Sequence, residues 1–189
     1  MYLFFDTETT GLPRSWSAPV TDLDNWPRLV QLAWLFYGKD GRNISGGNHI
    51  IKPSGFMIPA ESSAVHGITT EKAMTEGMDL RRVLSEFQGM IERSTYLIGH
   101  NVSFDANIIG AEFLRQGMKN SILTKEHICT MKSSVEFCAL QGNYGYKWPK
   151  LEELHRKLFG EELNEAHNAV HDINATARCF WELKKRGVV

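Results

Sequence analysis

The sequence predicts an α/β fold in which helices flank a central mixed sheet. Two observations lead to this prediction: three strand-like runs follow one another near the start of the 189-residue chain, and helical and strand-like patterns alternate after them. Consecutive strands joined by short turns are typical of an antiparallel meander, whereas strands separated by helices usually pair in parallel. A sheet that contains both kinds of connection is mixed.

Three strands are predicted in the first third of the chain. Leu3–Phe5 forms the first, residues 29–38 (LVQLAWLFYG) form the second, and His49–Lys52 forms the third. Glycines are expected in the turns near the second and third strands, because glycine adopts turn conformations at little cost. These glycines are Gly38, Gly41, Gly46 and Gly47.

Helices and strands alternate from residue 80 onward. In residues 80–94 the apolar side chains recur at helical spacing, at Leu80, Val83, Leu84, Phe87 and Ile91. Further helices are predicted at 104–117, 150–160 and 168–187, each ending at a glycine, and short strands at 95–101 and 127–131.

Composition indicates one globular domain spanning residues 1–189. Hydrophobic residues make up 42% of the chain and charged residues 23%, which excludes disordered and fibrous classes. No apolar run approaches the roughly 18 residues of a membrane helix, and no basic segment precedes the first apolar run, so neither membrane attachment nor a signal peptide is expected. The three cysteines are odd in number and lack a CxxC pair, which favours a reduced, cytoplasmic protein.

A long segment, residues 14–28, separates the first two predicted strands. It contains two prolines and the tryptophans Trp16 and Trp26. A connection of this length is either a functional flap or an ordered excursion over the surface.

Two carboxylates, Asp6 and Glu8, follow the first strand. Alternate residues of a strand project to the same side, so these two side chains should lie together. Adjacent like charges repel unless a cation lies between them, and oxygen ligands favour Mg²⁺ or Mn²⁺. A solvated acidic turn is the simpler interpretation of this pair taken alone.

Two further aspartates sit near the starts of predicted helices, Asp105 just past a strand and Asp172 early in the last helix. Asp105 ends the stretch HNVSFD, and Asp172 ends the stretch HNAVHD near the start of the last helix. Either residue could serve merely to interact favourably with the positive end of a helix dipole. The combination of both stretches with the Asp6–Glu8 pair is far more specific than any of its parts.

This combination resembles the DEDD superfamily of 3′-to-5′ exonucleases, which have a ribonuclease H-like fold. The resemblance runs through nearly the whole chain, and VQLAW at 30–34 and VHGIT at 65–69 are secondary matches. The h-type members carry a histidine five residues before the last aspartate, and His167 occupies that position. The chain is thus similar to the DEDDh exonucleases, which include the proofreading ε subunit of bacterial DNA polymerase III.

The resemblance implies a three-layer ribonuclease H-like fold and a two-metal phosphodiester hydrolase. Two Mg²⁺ or Mn²⁺ ions would be held by the four carboxylates Asp6, Glu8, Asp105 and Asp172. His167 would accept the proton of the attacking water. The expected substrate is the 3′ end of single-stranded DNA, and the products are nucleoside 5′-monophosphates.

Substrate contacts implied by the resemblance lie close to these motifs. The backbone around Thr9 and Thr10 would lie near the terminal sugar, and Leu12 would wedge against bases. His66 could contact the terminal nucleotide or stabilise a turn, and Phe104 could stack on a base or belong to the core. Trp16 and Trp26 are candidates for a base-stacking flap or for the cap of a satellite hydrophobic cluster.

Alternatives remain at the level of substrate and role. An enzyme that trims RNA or degrades oligoribonucleotides would use the same motifs. A non-catalytic nucleic-acid-binding domain would be expected to lack one of the carboxylates, and all four are present. A DNA polymerase is a possible partner, although no extra segment follows the last helix, which mildly favours a stand-alone nuclease.

Overall fold

A mixed five-stranded sheet forms the centre of the fold, as the sequence predicts. The computed structural model describes residues 1–163 and 169–189. The strands of this sheet, in chain order, are β1 (Tyr2–Thr9), β2 (Leu29–Tyr37), β3 (Asn43–Ile50), β4 (Tyr96–Gly99) and β5 (Glu126–Cys129). Their spatial order is β3-β2-β1-β4-β5, with β1, β2 and β3 antiparallel and β4 and β5 parallel to their neighbours.

Helices cover both faces of this sheet, and a small second ribbon lies outside it. The four longest predicted helices are present, each within a few residues of the predicted bounds. The helices are α1 (Ala60–His66), α2 (Thr70–Glu76), α3 (Leu80–Arg93), α4 (Val102–Arg115), α5 (Thr130–Ser133), α6 (Val135–Cys138), α7 (Leu151–Phe159) and α8 (Ala169–Lys185). The ribbon pairs β6 (Gln141–Gly142) with β7 (Gly145–Tyr146).

The two faces of β1 pack on different helices, because successive strand residues point in opposite directions. The Phe4 ring lies 5.2 Å from the ring of Phe180 on α8. Phe5 faces the other way, with its ring 5.5 Å from that of Phe87 on α3. The expected three-layer arrangement of helix, sheet and helix is therefore confirmed.

The third strand differs from its prediction. It spans Asn43–Ile50 and not His49–Lys52, so Gly46 and Gly47 lie inside a strand and not in a turn. Gly47 is paired with Trp34, and a Cβ at Gly47 would lie 2.2 Å from the indole ring. The glycine is therefore needed to admit the Trp34 side chain. The predicted turn is wrong at this position because Gly47 serves packing and not chain reversal.

The 14–28 segment is an ordered excursion over the surface. Buried Glu112 of α4 accepts hydrogen bonds from Arg28 Nε at 2.8 Å and from the Leu29 amide at 3.1 Å. Arg115 Nη1 lies 3.0 Å from the same carboxylate, and its Nη2 donates to the carbonyls of Leu23 and Trp26. This segment is thereby tied to the helix that carries Asp105.

Two further observations concern membrane-spanning helices and the state of the cysteines. In residues 1–163 and 169–189, no helix is long and apolar enough to cross a membrane. The cysteines Cys129, Cys138 and Cys179 are all free thiols.

We expect Glu112→Ala to lower the free energy of unfolding by about 3 kcal/mol, because two arginines would lose a buried partner. Urea denaturation measures this change. The matched control is Glu182→Ala on α8, which removes a surface ion pair with exposed Arg186 and should shift the midpoint far less. Equal shifts for the two variants would contradict the anchoring role of Glu112.

Candidate active site

The site forms where β1 extends beyond its neighbour β4. Parallel pairing between the two strands covers only Tyr2 to Phe4, whose partner is Ile98. The opposite edge of β1 stays paired with β2 as far as Thr9. The β4-facing edge of residues 6–9 is therefore left for side chains from the helices to approach.

Three carboxylates converge at this open end of β1. Asp6, Glu8 and Asp172 each offer an oxygen atom, and these atoms lie within 4.8 Å of one another. Asp6 and Glu8 share the face of β1 that also carries Phe4. Because Phe4 packs on Phe180 of α8, the same helix brings Asp172 over the two β1 carboxylates.

The fourth predicted carboxylate, Asp105, approaches from the other side of β1. Its Oδ1 accepts hydrogen bonds from the Thr7 amide at 3.0 Å and from the Thr7 hydroxyl at 2.6 Å. Thr7 lies between Asp6 and Glu8 but points to the opposite face. Asp105 is thus held beside the group of three carboxylates without belonging to it.

A tight turn between β4 and α4 sets the position of Asp105. Asn101 adopts a left-handed backbone conformation with φ 71° and ψ 39°, which few residues other than glycine tolerate. A Cβ at Gly99 would lie 3.2 Å from Val102, so the chain turns closely on itself here. The helix begins at once, and Asp105 falls in its first turn.

Burial raises the proton affinity of Asp6, Glu8 and Asp105, and repulsion from neighbouring carboxylates adds to it at Asp6 and Glu8. Burial raises the pKa of Asp6, and the charges of Asp105, Asp172 and Glu8 raise it further. Burial, followed by the charges of Asp172 and Asp105, raises the pKa of Glu8 to about 7. Burial also raises the pKa of Asp105 to about 7, although the hydrogen bonds from Thr7 oppose this change.

Such a group of carboxylates suits a divalent cation. Within residues 1–163 and 169–189, no lysine or arginine forms an ion pair with Asp6, Glu8 or Asp105. Hard oxygen donors of this kind are the ligands that Mg²⁺ and Mn²⁺ prefer. The donor chemistry therefore fits a divalent metal ion at the end of β1.

The predicted general base, His167, lies outside the described residues. His100, at the end of β4, has both ring nitrogens engaged, with Nδ1 3.0 Å from the Thr130 hydroxyl and Nε2 2.9 Å from the Pro149 carbonyl. Burial lowers the pKa of His100 to about 4. This histidine therefore stays neutral and holds the segment before α7 in place.

The residues just after Glu8 comprise two threonines that stabilise a turn and one exposed leucine. The Thr9 hydroxyl donates to the Gly11 carbonyl at 2.6 Å, and the Thr10 hydroxyl accepts from the Arg28 amide at 2.9 Å. Both threonine side chains thus stabilise the turn that leaves β1. Leu12 projects into solvent with 72% of its surface exposed, so it is available for contact with a ligand.

The other two predicted substrate residues also have structural contacts. The Ile68 amide donates to His66 Nδ1 at 3.1 Å, which is the turn-stabilising role considered above. Burial lowers the pKa of His66, and the backbone of neighbouring Thr9 partly offsets this, which places the ring near the end of β1. Phe104 is half-buried against the core, and its ring lies 5.6 Å from that of Trp16.

The tryptophans of the 14–28 segment take different positions. Trp26 is buried in the core, where its Nε1 donates to the Pro19 carbonyl at 3.1 Å. Trp16 stays exposed beside Phe104. Trp26 therefore belongs to the main core and is neither a flap residue nor the cap of a satellite cluster, and of the two tryptophans Trp16 alone is exposed.

A cavity of about 620 Å³ opens beside the carboxylates. It runs from Asp6 and Asp172 past the β4–α4 turn to the segment that precedes α7. The residues lining it are Asp6, His100, Asn101, Met131, Trp148, Pro149, Lys150, Leu151, Glu152, Leu163 and Asp172. Its size is that of a typical small-molecule site.

Two residues at or near the site were missed by sequence reasoning. Thr7 positions Asp105, and its only signal was its place between two acidic residues. Trp148 lines the cavity, but nothing in the spacing of residues 141–150 indicated that this segment would reach the carboxylates. Both depend on contacts between residues that are far apart in the chain.

We expect the metal-free protein to lose stability as the pH rises from about 4 to about 7. Glu8 and Asp105 bind protons more tightly in the folded chain than in the unfolded chain. Their contribution to stability is therefore complete at a pH below the pKa values of the unfolded chain, and it is lost as the pH rises through about 7. Thermal unfolding in EDTA near pH 5 and near pH 8 measures this loss.

Divalent metal should reverse that loss. Added Mg²⁺ or Mn²⁺ is expected to raise the melting temperature more near pH 8 than near pH 5, because protonated carboxyl groups bind cations poorly. The variant Asp105→Asn should show a weaker dependence of stability on pH. A melting temperature independent of both pH and metal would contradict this electrostatic description.

Comparison with known proteins agrees with this geometry. A family model described as exonuclease, of the RNase T type, matches residues 3–180. The PolC-type DNA polymerase III of Staphylococcus epidermidis is 28% identical over 195 residues, and that of Staphylococcus aureus is 28% identical over 196 residues. The aligned regions cover 99% and 100% of this chain but only 12% of each polymerase.

Solved exonucleases share the fold. Escherichia coli exonuclease I in complex with a dT13 oligonucleotide superposes with a TM-score of 0.76 at 21% identity, over 98% of this chain and 41% of that one. Exonuclease X in complex with 5′ overhanging duplex DNA superposes with a TM-score of 0.65 at 23% identity, over 99% of this chain and 93% of that one. With the family match over residues 3–180, the chain belongs to the exonuclease family, the DEDD-type 3′-to-5′ exonucleases of the ribonuclease H-like superfamily.

Proposed function

We propose that this chain is a metal-dependent 3′-to-5′ exonuclease that hydrolyses the terminal phosphodiester bond of single-stranded DNA and releases nucleoside 5′-monophosphates. The observation that carries the proposal is the convergence of Asp6, Glu8 and Asp172 within 4.8 Å, with Asp105 alongside, at the mouth of a cavity. Membership of the exonuclease family supports the same chemistry.

The four carboxylates would hold two divalent ions, Mg²⁺ or Mn²⁺. Asp6 would contact both ions, Glu8 and Asp172 would complete the first site, and Asp105 would serve the second. Bound metal would supply neutralisation of the phosphate charge and activation of water. Thr7 would keep the Asp105 carboxylate in position through its two hydrogen bonds.

Proton transfer would fall to His167. An imidazole titrates near neutral pH and can accept the proton of the attacking water. Neutral His100 is a poor alternative, because both of its ring nitrogens are engaged and its pKa is low.

The terminal nucleotide would lie along the chain that leaves β1. The backbone of Thr9 and Thr10 would line the sugar, and exposed Leu12 would contact the base. His66, next to Thr9, would border the same position. Phe104 and Trp16 would offer a further aromatic surface near the turn into α4.

DNA is favoured over RNA because of the relatives. The two curated relatives described above are DNA polymerases, and the similar solved enzyme exonuclease I is bound to a DNA oligonucleotide. An RNA-trimming or oligoribonucleotide-degrading enzyme is the second candidate, since the same carboxylates would serve it. Rates on DNA and RNA oligonucleotides of matched sequence decide between them, and equal or faster RNA cleavage would exclude the DNA preference.

Digestion of oligonucleotides labelled at the 5′ or the 3′ end, with Mg²⁺, tests the activity. Wild type should release labelled mononucleotide at once from the 3′-labelled strand and a descending ladder from the 5′-labelled strand. Asp6→Ala should reduce activity to background because a shared ligand is lost. His167→Ala should reduce kcat by about 10²- to 10⁴-fold, the usual contribution of a general base.

Metal binding should differ between Asp6→Ala and His167→Ala. Calorimetric titration with Mn²⁺ should show that His167→Ala still binds metal and that Asp6→Ala binds it weakly. The control is Asp40→Ala, an exposed carboxylate in the β2–β3 turn that pairs with Arg42 and should leave activity unchanged. Exonuclease activity that persists in Asp6→Ala would refute the proposed metal ligand.

A DNA polymerase is the proposed protein partner, because the similar regions of the relatives belong to PolC-type polymerases. Size-exclusion chromatography of the chain mixed with a replicative polymerase from the same source tests this. Co-elution would support a proofreading role, and separate elution would favour a stand-alone nuclease.

A further inference from the structure

An exposed aromatic segment lies between α6 and α7. Residues 141–150, named here the aromatic hairpin, comprise the β6–β7 ribbon and the four residues after it. Tyr144, Tyr146 and Trp148 all project into solvent, and 62% of the Trp148 surface is exposed. Large aromatic side chains left outside the core in such close succession are a feature of binding surfaces.

The aromatic hairpin is attached to the active site. Trp148, Pro149 and Lys150 line the same cavity as Asp6 and Asp172. The Pro149 carbonyl lies 2.9 Å from His100 Nε2, at the end of β4. This contact anchors the backbone next to Trp148 at the end of β4.

Hydrogen bonds also hold the two ends of the segment. The Lys147 amide donates to the Leu140 carbonyl at 2.9 Å. The Lys150 amide donates to Glu153 Oε2 at 2.8 Å, which anchors the start of α7. Trp148 is therefore presented on a supported backbone, which lowers the entropic cost of binding a ligand.

The charge around Trp148 favours an anion. Residues 141–150 contain Lys147 and Lys150 and no carboxylate; Lys147 Nζ is paired with Glu153 of α7 at 2.5 Å, which leaves Lys150 as the lysine available to a ligand. Lys132 Nζ of α5 lies 5.9 Å from the centre of the Trp148 ring system. Glu152 also lines the cavity and pairs with Lys150 at 3.6 Å, but both side chains of this pair are exposed enough to exchange partners.

We infer that the aromatic hairpin binds the nucleotides that lie 5′ to the scissile phosphate, with Trp148 stacked on a base and Lys150 against the backbone phosphate. This inference rests on the proposed function. The phosphate to be cleaved must sit at the carboxylates, and the chain after Glu8 provides the proposed place for the terminal nucleotide. The cavity extends from Asp6 and Asp172 toward Trp148, so it supplies a separate path for the remaining strand.

A single nucleic acid strand fits this surface better than a protein does. Aromatic faces combined with lysines bind unpaired bases of any sequence through stacking, and the backbone through charge. A protein partner would gain little from the cavity, which leads to a cluster of carboxylates. A role of the hairpin in protein docking is an outcome that the following test can reveal.

Hydrolysis of two substrates by Trp148→Ala is the first test. The substrates are an oligothymidylate and a 4-nitrophenyl ester of thymidine 5′-monophosphate, which carries no nucleotide on the 5′ side. We expect KM for the oligonucleotide to rise about tenfold, as for the loss of one stacked base, while the ester is cleaved at the wild-type rate. Trp148→Phe, which keeps an aromatic face, should recover most of the affinity.

The proposed contact between Lys150 and a backbone phosphate is tested separately. Lys150→Ala should reduce the slope of log Kd against log salt concentration for the oligonucleotide by about 0.7, the value for one phosphate contact on a single strand. The matched variant is Lys185→Ala, an equally exposed lysine that pairs with Glu182 near the end of α8. Its slope should equal that of wild type.

Binding measured without turnover keeps this inference distinct from the proposed activity. Fluorescence anisotropy with labelled oligothymidylate and Mg²⁺, in an Asp6→Asn background, should show about tenfold weaker binding when Trp148→Ala is added. If wild type hydrolyses neither substrate, the proposed function fails, yet this binding comparison still decides the role of the hairpin. Equal binding with and without Trp148 would overturn the inference and leave protein docking as the use of this surface.

Discussion

The repulsion among four carboxyl groups at the end of β1 is the constraint on which the rest of the site depends. Burial raises the pKa values of Asp6, Glu8 and Asp105, and neighbouring charges raise those of Asp6 and Glu8 further. A folded chain can keep such a group ionised only if a cation compensates it. The rest of the fold nevertheless holds these carboxylates close together, despite the electrostatic repulsion between them.

Three separate layers hold the carboxylates in place. The sheet core fixes β1, which carries Asp6 and Glu8; α8 packs on one face and supplies Asp172; and α4 packs on the other and supplies Asp105. The Phe4–Phe180 contact on one side and the Thr7–Asp105 hydrogen bonds on the other link each helix to β1. Because β4 ends early, the space between these layers stays open to a ligand.

Much of this could be predicted from residues that are close together in the chain. Apolar periodicity located the helix with buried Leu84 and Phe87, and the stretches HNVSFD and HNAVHD pointed to Asp105 and Asp172. The turn predicted at Gly47 is wrong because this glycine admits Trp34 from the neighbouring strand. Glu112 looked like an ordinary helix residue, although it is fully buried and anchors the 14–28 segment.

The sequence by itself determined the fold class, the family resemblance and the identities of the acidic residues, because each is encoded by side chains a few positions apart. Tertiary structure alone decided that Thr7 holds Asp105, that Glu112 fastens the 14–28 segment, and that Trp148 reaches the cavity of Asp6. These contacts join residues distant in the chain, and they exist only after the helices have packed on the sheet. The physical reason is that hydrogen bonding and burial depend on spatial neighbours, which local sequence patterns do not specify.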